Sequence, residues 1–258
     1  MATWPVSIIC TGNTLGFVVQ ARLGSTRLPD KILLPFSGGR TIFDLLLEKL
    51  QSFASRATCV VATSVSPAND ALEAICRERG VACFRGSEND VLQRFIDAAH
   101  ANGVDRIIRV CSDNPFLSRD AIAQLLEAVA DTDADYMSFN VGGTPSIKTH
   151  YGFWTEYVTL EALERVAGMT DEPLYHEHVT NYIYAHPESF RIGWLDVPQT
   201  VLDHAGVRLT IDTREDFETA AALYDTLGAA SPDQLFAYID AHPAIREKMK
   251  RQILNNSK

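Results

Sequence analysis

The chain has 258 residues, of which 46% are hydrophobic and 22% charged, and a formal net charge of −10. That length and balance describe an ordinary globular α/β-sized chain with a substantial core, and the negative charge excludes a general nucleic-acid or anionic-membrane surface, so any anion site must be local. No apolar stretch reaches the roughly 18 residues that a membrane span requires. The five cysteines, Cys10, Cys59, Cys76, Cys83 and Cys111, include no C-x-x-C pair and mostly lie in apolar runs, so they read as reduced core residues of a cytoplasmic protein.

Residues 1–15 carry no Lys or Arg and only a short apolar core at 6–10, which makes a poor signal peptide, and they are set aside as a leader of unknown role. The pattern predicts a buried strand over 16–19, emptying into Gln20-Ala21-Arg22-Leu23-Gly24-Ser25-Thr26-Arg27-Leu28-Pro29-Asp30-Lys31. Gly24 lets backbone N–H groups approach an anion, Ser25 and Thr26 offer hydroxyls, and Arg22, Arg27 and Lys31 supply charge. Between Met1 and Phe43 the only carboxylate side chain is Asp30, so this end is locally positive. Cations gathered just after a first strand point to a polyanionic ligand, although neither a Walker P-loop nor a G-x-G-x-x-G can be read there.

Helical spacing over 41–50, with Thr41 as N-cap, is followed by a β-branched run at 58–64, a helix over 69–79 stopped by Gly80, and a short strand at 81–84. Such alternation predicts a mostly parallel sheet with helices on both faces. In the stretch Arg85-Gly86-Ser87-Glu88-Asn89-Asp90-Val91-Leu92-Gln93-Arg94, Ser87 and Asp90 have the spacing of a capping box for the next helix. The strand at 106–110 ends at Cys111-Ser112-Asp113-Asn114-Pro115, which places Asp113 where α/β sheets bind ligands and where a phosphate substrate would call for a Mg²⁺ carboxylate. A helix over 118–130 and a strand over 135–139 come next. The acids between them, residues 131–135, read as a solvated turn in spite of their D-x-D spacing.

At 141–158 the rhythm breaks into a Gly/Pro loop and an alternating stretch that predicts an excursion strand or hairpin. Lys148 and His150 lie in it. A helix over 159–167 precedes Tyr175-His176-Glu177-His178-Val179-Thr180-Asn181-Tyr182, whose two histidines are spaced i, i+2, off a common helical face, which argues against zinc. Strands are predicted over 190–197 and 207–211. The second of these ends at Asp212, with Thr213 capping a helix through 227 and Asp216 at the capping-box position. Residues 231–258 read as a helical tail.

Several of these stretches resemble the cytidylyltransferase family, which includes the CMP-sugar-acid synthetases and SpsF-like spore coat polysaccharide proteins. Ala21, Arg22, Gly24, Ser25, Arg27, Leu28, Pro29 and Lys31 match its A-R-x-G-S-x-R-L-P-x-K loop, and 85–94, 175–182 and 208–217 resemble further segments, as does 112–115, which keeps Asp113 and Pro115 of the family's G-D-x-P with Ser112 for the Gly. The resemblance covers about 16–227. It implies a GT-A-like, Rossmann-like nucleotidyltransferase fold over 16–230. It further implies that Ala21, Arg22, Gly24, Ser25, Arg27, Lys31, Arg85, Ser87 and Arg94 line the nucleotide pocket, and that Asp113 and Asp212 bind Mg²⁺. Together with Arg22 and Lys31, these two carboxylates would be the catalytic set. Cys111 stands where some sugar-acid synthetases carry a Gln near the base. The region 141–158 would shape the acceptor pocket or a homodimer contact, with Lys148, His150, Glu156, Glu177 and His178 as acceptor-side candidates. Trp154 replaces the Asp of the family's G-L-D-V-E. The expected reaction transfers CMP from CTP to a sugar or sugar acid with release of pyrophosphate. The alternatives are a GT-A glycosyltransferase using a nucleotide sugar and a nucleotide-binding module without turnover.

Overall fold

The computed structural model describes residues 14–256; Cys10 and nearly all of the leader lie outside the described residues. The chain runs β1 (Leu15–Gln20), β2 (Pro35–Ser37), β3 (Arg40–Thr41), α1 (Ile42–Gln51), β4 (Thr58–Ser64), α2 (Asp70–Glu78), β5 (Ala82–Gly86), α3 (Val91–Asn102), β6 (Arg106–Cys111), α4 (Arg119–Ala128) and β7 (Tyr136–Val141). It continues through β8 (Thr144–Pro145), β9 (Glu156–Thr159), α5 (Leu160–Met169), α6 (Pro173–Glu177), α7 (Asn181–Ala185), β10 (Ile192–Asp196), α8 (Gln199–Asp203), α9 (Arg214–Leu227), α10 (Pro232–Ala241) and α11 (Pro243–Asn256).

The main sheet has eight strands in the order β10-β7-β9-β6-β1-β4-β5, with β8 added to β7. Apolar runs at β1, β4 and β6 make a parallel block with β5, as buried strands covered on both faces should. Alternation divides their side chains: Phe17, Val19, Val61, Ile108 and Val110 face one core with α1, α4, α9 and α10, whereas Val18, Val60, Ala62 and Ile107 face a second core with α3 and α5. The expected excursion strand is instead part of this sheet: β9 is antiparallel to both β6 and β7 and joins them. The β10–β7 pair is parallel.

Gly16 shows how tightly β1 is enclosed. A Cβ there would lie 2.8 Å from Thr58 Oγ1 and 2.8 Å from Val104 Cγ2. We expect Gly16→Ala to cost about 1–3 kcal/mol through overpacking, read as a lower denaturation midpoint with an unchanged slope.

Thr41 caps α1 as expected, in a capping box completed by Asp44, and Thr213 forms the expected box with Asp216. Ser87 does not cap α3. That role belongs to Asp90, whose carboxylate accepts from Gln93 N–H at 2.8 Å, while Ser87 Oγ accepts from Asp90 N–H. Residues 207–211 form no strand, because their backbone bonds go to loops: Leu209 N–H donates to the His150 carbonyl at 2.8 Å and Ile211 N–H to the Asp113 carbonyl at 3.3 Å. Asp135 is not a solvated turn residue. Buried to 4% exposure, it accepts from Arg191 and Arg165 and pins β7 to the start of β10. The C-terminal helices close over the first core with Leu235, Phe236, Ile239 and Met249.

Candidate active site

Two cavities open at the carboxyl ends of β1 and β6, the end at which parallel sheets present ligands. One, of about 450 Å³, is lined by Gln20 at the end of β1 and by Arg22, Gly24, Ser25, Arg27 and Lys31 from the loop after it. The other, of about 540 Å³, is lined on its far side by Arg109, Lys148, His150, Trp154, Asn181 and Tyr184. Arg27, Cys111, Asp113, His178 and Asp212 line both, so the two spaces meet at the two carboxylates.

The loop's apolar residues set the direction of its cations. Leu23 and Leu28 are buried at 5% and 3% exposure, which leaves the intervening polar residues outside the core. Leu23 N–H donates to Asn69 Oδ1 at 2.9 Å, and Asn69 in turn donates to Ser64 Oγ at 2.7 Å. Ser25 Oγ accepts from Leu28 N–H, and Asp30 takes a φ of 56°, closing the turn onto the Leu23 carbonyl. Ala21 is buried at 1% exposure, lines neither cavity, and donates its N–H to the Ala62 carbonyl at 3.4 Å.

Each carboxylate is held by a cation of this loop. Lys31 Nζ donates to Asp113 Oδ2 at 2.8 Å and to the Ile211 carbonyl at 2.5 Å, which ties together the loop, the end of β6 and the segment before Asp212. Arg27 donates to Asp212 Oδ1 at 2.7 Å, with both side chains substantially exposed. Asp212 Oδ2 accepts from the buried Arg208 at 2.8 Å, and Arg208 forks onto Asp216 at 2.8 and 3.0 Å. Burial opposes the charge on Asp216, but the bonds and charge of Arg208 and the N–H groups of Asp212 and Thr213 outweigh it and keep its carboxyl below the usual carboxylate range.

Among the described residues no cluster of three or more His, Cys, Asp or Glu could hold a metal by itself. The donor set nevertheless suits Mg²⁺, which takes one or two carboxylates and fills its remaining positions with phosphate oxygens and water. Asp113 Oδ2 is used by Lys31, Asp113 Oδ1 has no hydrogen-bond partner among the described residues, and Asp212 Oδ1 is held only from the exposed side.

Of the other candidates, Lys148, His150, Glu177 and His178 line these cavities. Lys148 Nζ lies 5.5 Å from the centre of the Tyr184 ring. Trp154, stacked on Phe139 at 5.8 Å, forms apolar wall where the family pattern has an Asp. Arg85, Ser87, Arg94 and Glu156 line neither cavity. Arg85 is turned away onto Glu73 and Asp70, both at 2.7 Å, and onto the carbonyls of Val65 and Ser66. Arg94 is fully buried and donates to the Ser87 carbonyl, so it braces that turn from behind; burial and then Arg22 lower its pKa. Glu156 faces Arg109 directly across the β6–β9 register and accepts from it at 2.5 Å, from Tyr136 at 2.6 Å and from Thr180 at 2.7 Å.

Gln20, Arg109 and Arg208 are among the lining or supporting residues that were not singled out from the sequence. Arg109 was visible as a charge in the apolar run Ile107-Ile108-Arg109-Val110, and a buried guanidinium demands partners. It finds Glu156 and, at 3.0 Å, Gln20 Oε1, which line up on the same face of the sheet.

The wall shared by the two cavities is tethered by His176. Its Nε2 bonds the Thr170 carbonyl at 2.9 Å and its Nδ1 the Asp90 carboxylate at 2.9 Å. The Thr170 carbonyl first, and then Asp90, raise its pKa above the ordinary histidine value, against opposing desolvation. A raised folded pKa means that the tether's contribution is complete below the unfolded value and is lost as pH rises through the folded one. We expect an NMR titration midpoint above ~6.5, moving down in Asp90→Asn.

A mostly parallel sheet with a cationic loop after its first strand, and two carboxylates between adjoining cavities, fits a nucleotidyltransferase. The cytidylyltransferase family matches over residues 17–248, and the chain belongs to it. It is 35% identical over 241 residues to the spore coat polysaccharide biosynthesis protein SpsF of Bacillus subtilis, covering 90% of this chain and 96% of that one. A cytidylyltransferase structure from Leptospira borgpetersenii superposes with a TM-score of 0.77 at 30% identity, covering 90% of this chain and 96% of that one. The CMP:2-keto-3-deoxy-manno-octonic acid synthetase complexed with CTP shares the fold, with a TM-score of 0.62 at 17% identity over 83% of this chain and 99% of that one.

Proposed function

We propose that this nucleotidyltransferase uses CTP and Mg²⁺ to transfer CMP to a sugar or sugar-acid acceptor, with release of pyrophosphate, in the synthesis of a surface polysaccharide or glycoconjugate. The observation that carries the reading is the junction of a cation-lined cavity with a second cavity at Asp113 and Asp212. The triphosphate fits the first, where Arg22, Arg27 and Lys31 meet its charge. The acceptor fits the second, where side chains of both polarities and the Trp154 wall suit a hydroxylated ring. An acceptor oxygen entering from that side attacks the α-phosphorus, and the bond to pyrophosphate breaks toward the loop. Positioning and charge neutralisation account for such a displacement without a covalent enzyme intermediate. Arg27 and Lys31, which hold the carboxylates, turn to the phosphates as these bind. Mg²⁺ held by Asp113 and Asp212 would neutralise phosphate oxygens.

The test is calorimetry with CTP, UTP, ATP and GTP, each with and without Mg²⁺, followed by pyrophosphate release with a panel of sugar acids that includes 3-deoxy-manno-octulosonate. The expected result is selective, Mg²⁺-strengthened CTP binding, and silence with all four nucleotides would overturn the reading. Release of a nucleoside diphosphate from a nucleotide sugar would instead identify a glycosyltransferase.

A further inference from the structure

Arg208 connects the two sides of the junction. Its side chain is 1% exposed and every nitrogen has a partner. Nε donates to Asp216 Oδ1 at 2.8 Å, Nη2 to Asp216 Oδ2 at 3.0 Å and to Asp212 Oδ2 at 2.8 Å, and Nη1 lies 2.8 Å from His150 Nδ1. A guanidinium has only donors and keeps its protons. His150 Nδ1 is therefore the acceptor of that bond, and a neutral imidazole with an accepting Nδ1 carries its hydrogen on Nε2. The backbone reinforces the arrangement: the His150 carbonyl accepts from Leu209 N–H at 2.8 Å and Thr210 N–H at 3.2 Å. Burial first, and then the charge of Arg208, hold the imidazole below its ordinary pKa.

We propose that Arg208 is a positioning residue: it anchors Asp212 on one side and, on the other, fixes His150 as a neutral Nε2–H donor to an oxygen of the acceptor. The arrangement has a chemical consequence. Protonation at Nδ1 would set a second N–H against Arg208, and Nε2 already carries hydrogen, so His150 has no free lone pair with which to take the proton of the attacking hydroxyl. His150 recognises the acceptor and does not act as its general base. The role toward the acceptor rests on the proposed transfer function, whereas the tautomer does not.

The experiment is nitrogen-15 NMR of the histidine side chains in the full chain at neutral pH, without ligand, with the His150 signals assigned by their loss in His150→Gln. The expected pattern is a pyridine-type Nδ1 and a pyrrole-type Nε2, altered in Arg208→Lys. The opposite tautomer, or an imidazolium, overturns the proposal whatever the enzyme transfers. If Arg208→Lys does not fold, two His150 variants decide the role with the sugar acid of the panel that is turned over best. His150→Phe is expected to raise acceptor KM about tenfold or more, and His150→Gln, which keeps a side-chain N–H donor, to raise it less, with CTP affinity unchanged in both. An equal fall in kcat at unchanged KM in the two variants would make His150 the base and overturn the proposal. A panel with no turnover counts against the transfer function instead, and the nitrogen signals then decide the His150 assignment.

Discussion

Asp212→Asn is expected to lower pyrophosphate release by about 10²–10³-fold or more, the scale of losing one preorganised electrostatic contact to the reacting group. The variant should still fold, because an Asn side-chain oxygen can accept from Arg208, and Asp216 keeps its own bonds to Arg208 and to the N–H groups of Asp212 and Thr213. The second readout is binding: Mg²⁺ should no longer strengthen CTP affinity. A variant that melts normally and keeps metal-dependent turnover would remove Asp212 from the metal site. Asp113→Asn should act similarly on turnover and also weaken the hold of Lys31 on the end of β6.

Glu156→Ala is expected to cost about 3–5 kcal/mol of stability, the penalty of leaving one member of a buried ion pair uncompensated. Arg109 and Glu156 have side chains exposed to 7% and 1%, and removing the carboxylate also strips partners from Tyr136 and Thr180. Urea denaturation measures this, and a loss below about 1 kcal/mol, ordinary for an exposed pair, would show that the charge is not buried in solution. Arg109→Met with Glu156→Leu should recover most of the loss, since an apolar pair of similar volume is often neutral or better.

Local features were readable in the sequence because their causes are local. The run at β1, the cap at Thr41 and the Thr213–Asp216 box depend on neighbours within a few residues, and the structure has them where they were expected. The loop's cations were readable for the same reason. Long-range partners were not. Glu156 looked like an acceptor residue until the β6–β9 register set it against Arg109, and Arg85 looked like a pocket residue until α2 offered it Asp70 and Glu73. Asp212 was placed at a strand end, but its segment is held by loop carbonyls, which no periodicity encodes. Arg208 was passed over because one strand-like arginine carries no sign of the three side chains it joins.

The position of β9 also governs the order in which the molecule can be assembled. The strands β5, β4, β1 and β6 have all their mutual partners once the chain reaches Cys111, whereas β7 and β10 attach to that block only through β9. During synthesis these four strands are therefore all present while β6 still shows an open edge, and such edges recruit strands from other chains. The segment that closes the edge, Glu156–Thr159, is made before Asp212, so the nascent chain is protected from edge-to-edge aggregation before its pair of carboxylates is complete.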